Sequence, residues 1–235
     1  MDLKRTASRE DESSGTNKKA KILENVIATY GCRQGEREEM QDFHVISRKF
    51  DLGKTFLTKS AFFAIFDGHA GGRAAEYCQQ KMENEIRIKL ERSNELAEMM
   101  KSMKSVFVEA YKQVDDGFTA KAKSEKPVWK DGTTATTMLL FNNILYVANI
   151  GDSRAIVARR KPDTNTIIPI SLTTDHNPMV HEERMRIQKC GGIVKDGRIN
   201  GIIEVSRSIG DLAFKSLGVI CQPDLKKLTL TENEL

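Results

Sequence analysis

A short apolar run that ends in Asp67, Gly68 and His69 brings three chemically useful groups to one point of the chain. The run has strand length and is bounded by turn residues, so it predicts a buried strand. Gly68 lets the backbone turn and brings a bare carbonyl close to whatever the Asp67 carboxylate binds. His69 adds a side chain that exchanges protons near neutral pH. This combination indicates oxygen-ligated metal chemistry, although an Asp-Gly pair is also the commonest hairpin turn signal.

Two further segments place polar side chains beside apolar runs. The first, GEREEMQDFH, brings Arg37, Gln41 and Asp42 close together ahead of an apolar run. The second, YVANIGDSRA, ends a strand-like run in a Gly-Asp pair that contains Asp152. Taken singly, the first segment also fits a solvated charged loop and the second a plain hairpin turn.

The elements that must position these residues can be read from hydrophobic periodicity. Apolar residues recur every four positions over residues 78–90, and a second stripe with spacings of three and four runs over residues 99–118. Both patterns predict amphipathic helices with one face toward the core. Residues 134–141, 144–150 and 154–159 are strand-like and are separated by turn signals, which favours antiparallel neighbours. A short helix is predicted over residues 181–189, capped by Gly191.

Length and composition set the domain organisation. The chain has 235 residues, and 39% of them are hydrophobic. Its net charge of +4 is spread along the sequence and does not form the cluster of basic residues that is typical of nucleic-acid binding. We expect residues 1–24 to be a disordered polar tail and residues 25–235 to be one domain. The four cysteines contain no CxxC pair, so zinc and redox motifs are unsupported. No apolar run reaches transmembrane length, and we expect a cytoplasmic protein that also enters the nucleus.

The three polar segments, in this order, resemble the PP2C family of metal-dependent protein Ser/Thr phosphatases. Four more runs agree with that family: DGTTAT, LTTDHNP, GGIV and EVSRSIGD. The runs GEREEMQD, PVWKDGTTAT and EERMRIQKCGG are further similar to a subfamily of kinase-associated phosphatases. The resemblance implies an α+β fold, the PP2C-like α-β-β-α sandwich. Two antiparallel sheets would stack face to face, flanked by helices on both outer faces, with a metal site at one end.

The resemblance also implies roles for individual residues. Two Mg²⁺ or Mn²⁺ ions, and a third bound more weakly, would be held by four residues: Asp42, Asp67, Gly68 and Asp152. Arg37 would bind the substrate phosphate, and His69 would protonate the departing Ser or Thr oxygen. Asp211 matches a family aspartate whose role is open. The implied partners are phosphoSer and phosphoThr proteins, kinase-pathway proteins among them. We expect the protein to be a monomer that binds neither nucleic acid nor a membrane.

Two departures from the family pattern affect these expectations. Gln41 stands where many members have Glu, which removes one negative charge. The family's later metal carboxylates, in a second Asp-Gly turn and an Asp-Asn pair, have no match before Leu235. We therefore expect a C-terminally incomplete domain that lacks the last strands. The alternative function, a catalytically inactive fragment or binding module, stays open. Nucleotide binding at the Gly68–Gly72 turn is disfavoured, because its spacing is not G-x-G-x-x-G.

Overall fold

The computed structural model describes residues 26–164, 166–231 and 233, so the predicted disordered tail at 1–24 lies outside the described residues. Within these ranges the first elements are β1 (Asp42–Ser47), β2 (Ser60–His69), α1 (Arg73–Leu90), α2 (Leu96–Ser124), β3 (Gly132–Thr133), β4 (Ala135–Phe141) and β5 (Ile144–Ile150). They are followed by β6 (Ile156–Arg160), β7 (Ile167–Ser171), α3 (His181–Lys189), β8 (Val194–Lys195), β9 (Arg198–Ile199), β10 (Ile209–Gly210), a 3-10 helix (Leu212–Leu217) and β11 (Asp224–Thr229).

The main sheet is built around β2. This strand pairs antiparallel with β1 on one side and with β4 on the other, and β5 and β11 continue the sheet beyond β4. At the His69 end, the short strands β3 and β10 extend the sheet next to β2. Since β2 is long and has strands on both sides, its last residues carry the candidate site on a well-supported strand.

Helices α1 and α2 cover one face of the main sheet. The two predicted apolar stripes are confirmed, because all of their members are buried: Cys78, Met82, Ile86, Leu90, Met99, Met103, Val106, Ala110, Val114 and Phe118. On β2 the alternating residues Phe62, Ala64 and Phe66 meet these helices. The buried Tyr111 of α2 donates a hydrogen bond to the carbonyl oxygen of Ala148 at 3.0 Å, which ties the helical layer to the sheet.

The opposite face of the main sheet packs against the hairpin β6–β7. Ala61 and Phe63 of β2 share an apolar cluster with Val157 of β6 and Ile170 of β7. Antiparallel sheets therefore stack on each other, and the predicted α+β fold class is confirmed. The second sheet has two strands in the described part of the chain, and Ile156 on its outer side is 65% exposed. Helices cover the main sheet, whereas this outer side lies open to solvent.

A buried ion-pair cluster holds α3 to the segment before β10. Glu183 is only 2% exposed and accepts hydrogen bonds from Arg186 at 2.6 Å and Arg207 at 2.7 Å. The Ser206 hydroxyl donates a further hydrogen bond to Glu183 at 2.6 Å. Arg207 also pairs with Asp224 at 2.9 Å. This cluster fixes the segment that leads to Asp211, although it lies apart from the candidate site.

No helix among the described residues combines the length and the apolar character needed to cross a membrane.

Candidate active site

Asp42 and Asp67 face each other across the β1–β2 pair. The two residues are direct partners in the antiparallel register, at the start of β1 and near the end of β2. Directly opposite residues of such a pair lie on the same face of a sheet. Here it is the face shared with Ala61 and Phe63, so both carboxylates lie at one end of the space between the two sheets. The family resemblance implies a metal site at one end of the two sheets, and the role of these carboxylates in it stays a prediction.

Gly68 is needed because β2 passes very close to the chain before β1. Its amide donates a hydrogen bond to the carbonyl oxygen of Gln41 at 3.1 Å. A Cβ atom at Gly68 would lie 2.5 Å from that same oxygen, which is too close for any side chain. The glycine therefore keeps Asp67 in register with Asp42, in addition to any role of its carbonyl.

Thr134 links the end of β2 to the turn that carries Asp152. Its amide donates to the Asp67 carbonyl at 3.0 Å, and its hydroxyl accepts a hydrogen bond from the Asp67 amide at 3.1 Å. The same hydroxyl is 2.7 Å from the hydroxyl of Ser153. Gly151 makes this approach feasible, because its φ is +87° and a Cβ there would lie 2.5 Å from Thr134. Asp152 is thereby brought toward the aspartate pair.

The charges of these carboxylates act on one another. Partial loss of hydration, the neighbouring charges of Asp42 and Asp152, and a hydrogen bond shared with Asp42 together raise the pKa of Asp67 above 3.8. Like charges held this close destabilise each other, and a bound cation would relieve the repulsion. Carboxylate oxygens are the ligands that Mg²⁺ and Mn²⁺ prefer, so the donor chemistry fits such an ion. However, no group of three or more His, Cys, Asp or Glu side chains in the described ranges is arranged to hold a metal ion.

His69 lies at the end of β2 and is held from behind by Asp211. Its Nε2 atom is 2.7 Å from Oδ2 of Asp211, which is 3% exposed. Burial disfavours the imidazolium, but the hydrogen bond and charge of Asp211, with the charges of Asp67 and Asp152, outweigh it and raise the pKa of His69 above 6.5. The histidine is thus suited to carry a proton near neutral pH.

Asp131, which begins the DGTTAT run, is a structural residue of the site that no sequence pattern singles out. It is fully buried, and its carboxylate accepts hydrogen bonds from Nε of Arg73 at 2.8 Å and from Nη2 at 2.7 Å. The Arg73 guanidinium also lies 4.7 Å from the ring centroid of Trp129. Asp131 fills the space beside Gly71, where a Cβ would lie 2.3 Å from its Oδ1. The loop after His69 is therefore packed on an ion pair in which Asp131 is buried and Arg73 reaches the solvent.

The remaining predicted residues lie outside this cluster of contacts. Arg37 is exposed, and the structure shows no ion pair of its guanidinium within the described residues. Its role in phosphate binding stays a prediction, as do the ligand roles of Asp42, Asp67, Gly68 and Asp152. His176, in the LTTDHNP run, is 3% exposed, and its Nε2 atom lies 3.1 Å from Oδ2 of Asp224.

Comparison with known proteins establishes the family. Residues 28–234 match the sequence profile described as Protein phosphatase 2C. The chain belongs to the protein phosphatase 2C family. It is 40% identical over 242 residues to the mouse integrin-linked kinase-associated serine/threonine phosphatase 2C, covering 98% of this chain and 62% of that protein. The human protein of the same name is 44% identical over 206 residues, covering 86% of this chain and 52% of that protein.

The protein phosphatase 2C fold is also found among solved structures. The crystal structure of serine-threonine phosphatase 2C from Toxoplasma gondii superposes with a TM-score of 0.71 at 21% identity, covering 85% of this chain and 72% of that one. Identity at this level shows the fold alone. The predicted similarity to a kinase-associated subfamily is confirmed by the two relatives, and the chain spans between about half and two thirds of their length.

Proposed function

We propose that this protein is a metal-dependent protein serine/threonine phosphatase that hydrolyses phosphoSer and phosphoThr with a water molecule as nucleophile. The observation that carries the proposal is the arrangement at the end of β2. There, two opposed aspartates, Asp42 and Asp67, share one sheet face with Asp152 nearby, and Asp211 holds His69 close to them. Membership of the protein phosphatase 2C family supports this reading.

Each residue has a defined task in this proposal. Asp42, Asp67, Asp152 and the Gly68 carbonyl would hold Mg²⁺ or Mn²⁺, which lower the pKa of water when bound. Arg37 would orient the phosphate with its planar set of N–H donors. His69 would give a proton to the leaving Ser or Thr oxygen, because an alkoxide is a poor leaving group.

Partners and location are part of the same proposal. The mouse and human relatives are named as integrin-linked kinase-associated, so we propose phosphorylated proteins of a kinase pathway as substrates. We further propose a monomer in the cytoplasm and nucleus that binds neither nucleic acid nor membrane.

The deciding experiment measures phosphate release and thermal stability on the same sample. We expect Mn²⁺ to be required for release of phosphate from a phosphothreonine peptide, and a chelator to stop it. Mn²⁺ at a hundred times its dissociation constant should also stabilise the fold by about 2.7 kcal/mol, measured as a rise in Tm. Phosphopeptide binding without turnover at saturating Mn²⁺ would favour the alternative, a catalytically inactive binding module.

Replacing His69 with glutamine should affect substrates according to their leaving group. We expect His69→Gln to slow hydrolysis of a phosphothreonine peptide by about a hundredfold, because the departing alkoxide lacks a proton donor. Hydrolysis of p-nitrophenyl phosphate should fall much less, because its leaving group is stable as an anion. The measurement is kcat for both substrates at saturating Mn²⁺.

The matched control for that variant is His181→Gln, at the exposed start of α3. This substitution should leave both rates unchanged. Equal losses on the two substrates in His69→Gln would contradict a proton-donor role for His69.

A further inference from the structure

We propose that Asp211 is a positioning residue that holds the Nε2 side of His69, so that Nδ1 is the nitrogen which donates the proton to the leaving oxygen. The inference rests on the proposed function, and it assigns a role to an aspartate that the sequence left open. It follows from the hydrogen-bond geometry around one carboxylate oxygen.

Oδ2 of Asp211 receives two hydrogen bonds. The Nε2–H group of His69 donates one at 2.7 Å, and the Ser208 hydroxyl donates the other at 2.6 Å. The carboxylate is 3% exposed, so water competes little for it. The hydrogen bond from Ser208 holds Oδ2 in place, and the hydrogen bond from His69 to the same atom therefore fixes the orientation of the imidazole ring.

The backbone of Asp211 is held as firmly as its side chain. Its amide donates to the carbonyl oxygen of Asp131 at 3.0 Å, and its carbonyl accepts from Phe214 at 2.8 Å. The residue has a φ of 51°, in the left-handed region. Asp and Asn enter that region more readily than most residues, and Gly enters it freely. Asn and Gly can therefore replace Asp211 without new backbone strain.

Gly132 makes room for the pair. A Cβ atom at Gly132 would lie 2.2 Å from Oδ2 of Asp211 and 2.3 Å from Nε2 of His69. Since real Cβ contacts are never this short, any side chain at position 132 must separate the two residues. The glycine in the DGTTAT run is thus required by the His69–Asp211 contact.

This geometry leaves one nitrogen of His69 for the substrate. Among the described residues the imidazole makes a single hydrogen bond, and it uses Nε2. In the reaction the imidazolium gives its Nδ1 proton to the leaving oxygen as the P–O bond breaks. It becomes a neutral ring that keeps its Nε2–H bond to Asp211. The attacking water provides the oxygen for phosphate, and its released proton restores the imidazolium.

The first test needs no turnover. In proton NMR spectra the Nε2–H group of His69 should give a resonance protected from exchange with solvent, assigned by its loss in His69→Gln. We expect that resonance to disappear in Asp211→Gly and in Gly132→Ala. It should persist in two controls with exposed sites, Asp196→Asn and Gly31→Ala, since Asp196 has the same φ of 51° and Gly31 has no atom within 4 Å of its Cβ position.

The second test uses the leaving group. Asp211→Gly should lower kcat for a phosphothreonine peptide by about ten- to a hundredfold and lower kcat for p-nitrophenyl phosphate less. The double variant His69→Gln/Asp211→Gly should be no slower than His69→Gln alone, because the two residues act as a unit. Asp211→Asn, which keeps an acceptor oxygen, should recover part of the lost rate.

Three outcomes would overturn the inference. They are a protected resonance that survives in Asp211→Gly, equal losses on both substrates, and a loss of Mn²⁺ affinity in Asp211→Gly, which would make Asp211 a metal ligand. If the unchanged protein shows no Mn²⁺-dependent turnover, the proposed function fails. In that case the NMR resonance alone decides whether Asp211 holds His69.

Discussion

Replacing Asp67 with asparagine is expected to abolish Mn²⁺-dependent phosphatase activity. Asp67 faces Asp42 directly across the β1–β2 pair and interacts with the charge of Asp152, so it is central to the acidic group. Loss of its charge should cost several kcal/mol of transition-state stabilisation, roughly a thousandfold in kcat/KM or more. The measurement is phosphate release from a phosphothreonine peptide across a Mn²⁺ titration.

Thermal unfolding should show that this loss is local to the candidate site. Without metal, Asp67→Asn should unfold at the same temperature as the unchanged protein or above it, since the substitution removes repulsion from Asp42. Its Tm should no longer rise when Mn²⁺ is added. The control Asp163→Asn, at an exposed site between β6 and β7, should keep both activity and the Mn²⁺ response. Turnover near the unchanged rate in Asp67→Asn would disprove the metal assignment.

Of the substitutions proposed here, Glu183→Gln should lower the free energy of unfolding the most. The change leaves the charges of Arg186 and Arg207 without their buried partner. Removing one member of a buried ion pair costs about 3–5 kcal/mol, and we expect the lower end of that range because Arg207 keeps Asp224 as a partner. The measurement is the free energy of unfolding in urea at pH 7. Glu182→Gln, its exposed neighbour on α3, is the matched control and should change stability little.

The pH dependence of stability provides an independent check on Glu183. Burial alone would raise the pKa of this carboxyl, but hydrogen bonds from Arg186, Arg207 and Ser206 outweigh burial and hold the pKa well below 4.5. Its contribution is therefore complete above pH 4.5 and decreases as the pH falls below that value. We expect the stability gap between the unchanged protein and Glu183→Gln to narrow between pH 5 and pH 3. A constant gap would argue against this cluster.

The parts of the fold that the sequence predicts are those with local periodicity. The helix predicted over residues 181–189 is observed as α3 with the same bounds, and both apolar stripes are buried. Strand ends also predict part of the site. Asp42 and Asp67 each adjoin an apolar run, and antiparallel pairing sets them opposite each other. Hydrophobic periodicity and turn-forming residues are local features that span a few positions, so they can be recognised in a single sequence.

The contacts that the sequence does not predict join distant segments. His69 and Asp211 are separated by 142 positions, and no local pattern pairs them. Asp131 is buried and pairs with the exposed Arg73, although an Asp-Gly sequence indicates an exposed turn. In both cases tertiary packing decides what the aspartate contacts. The glycines were the available signal, because Gly71 and Gly132 leave room for those side chains.

The order of strands in the main sheet determines when the candidate site can form during folding. β2 and β4 are neighbours in space, yet both long helices lie between them in the chain. Closing so long a loop costs chain entropy before any strand contact forms, whereas α1 and α2 meet through nearby residues. The helical pair can therefore assemble early. We expect Asp67 and Asp152 to meet only after the loop has closed, so the proposed binding of a cation would arise late as the chain refolds.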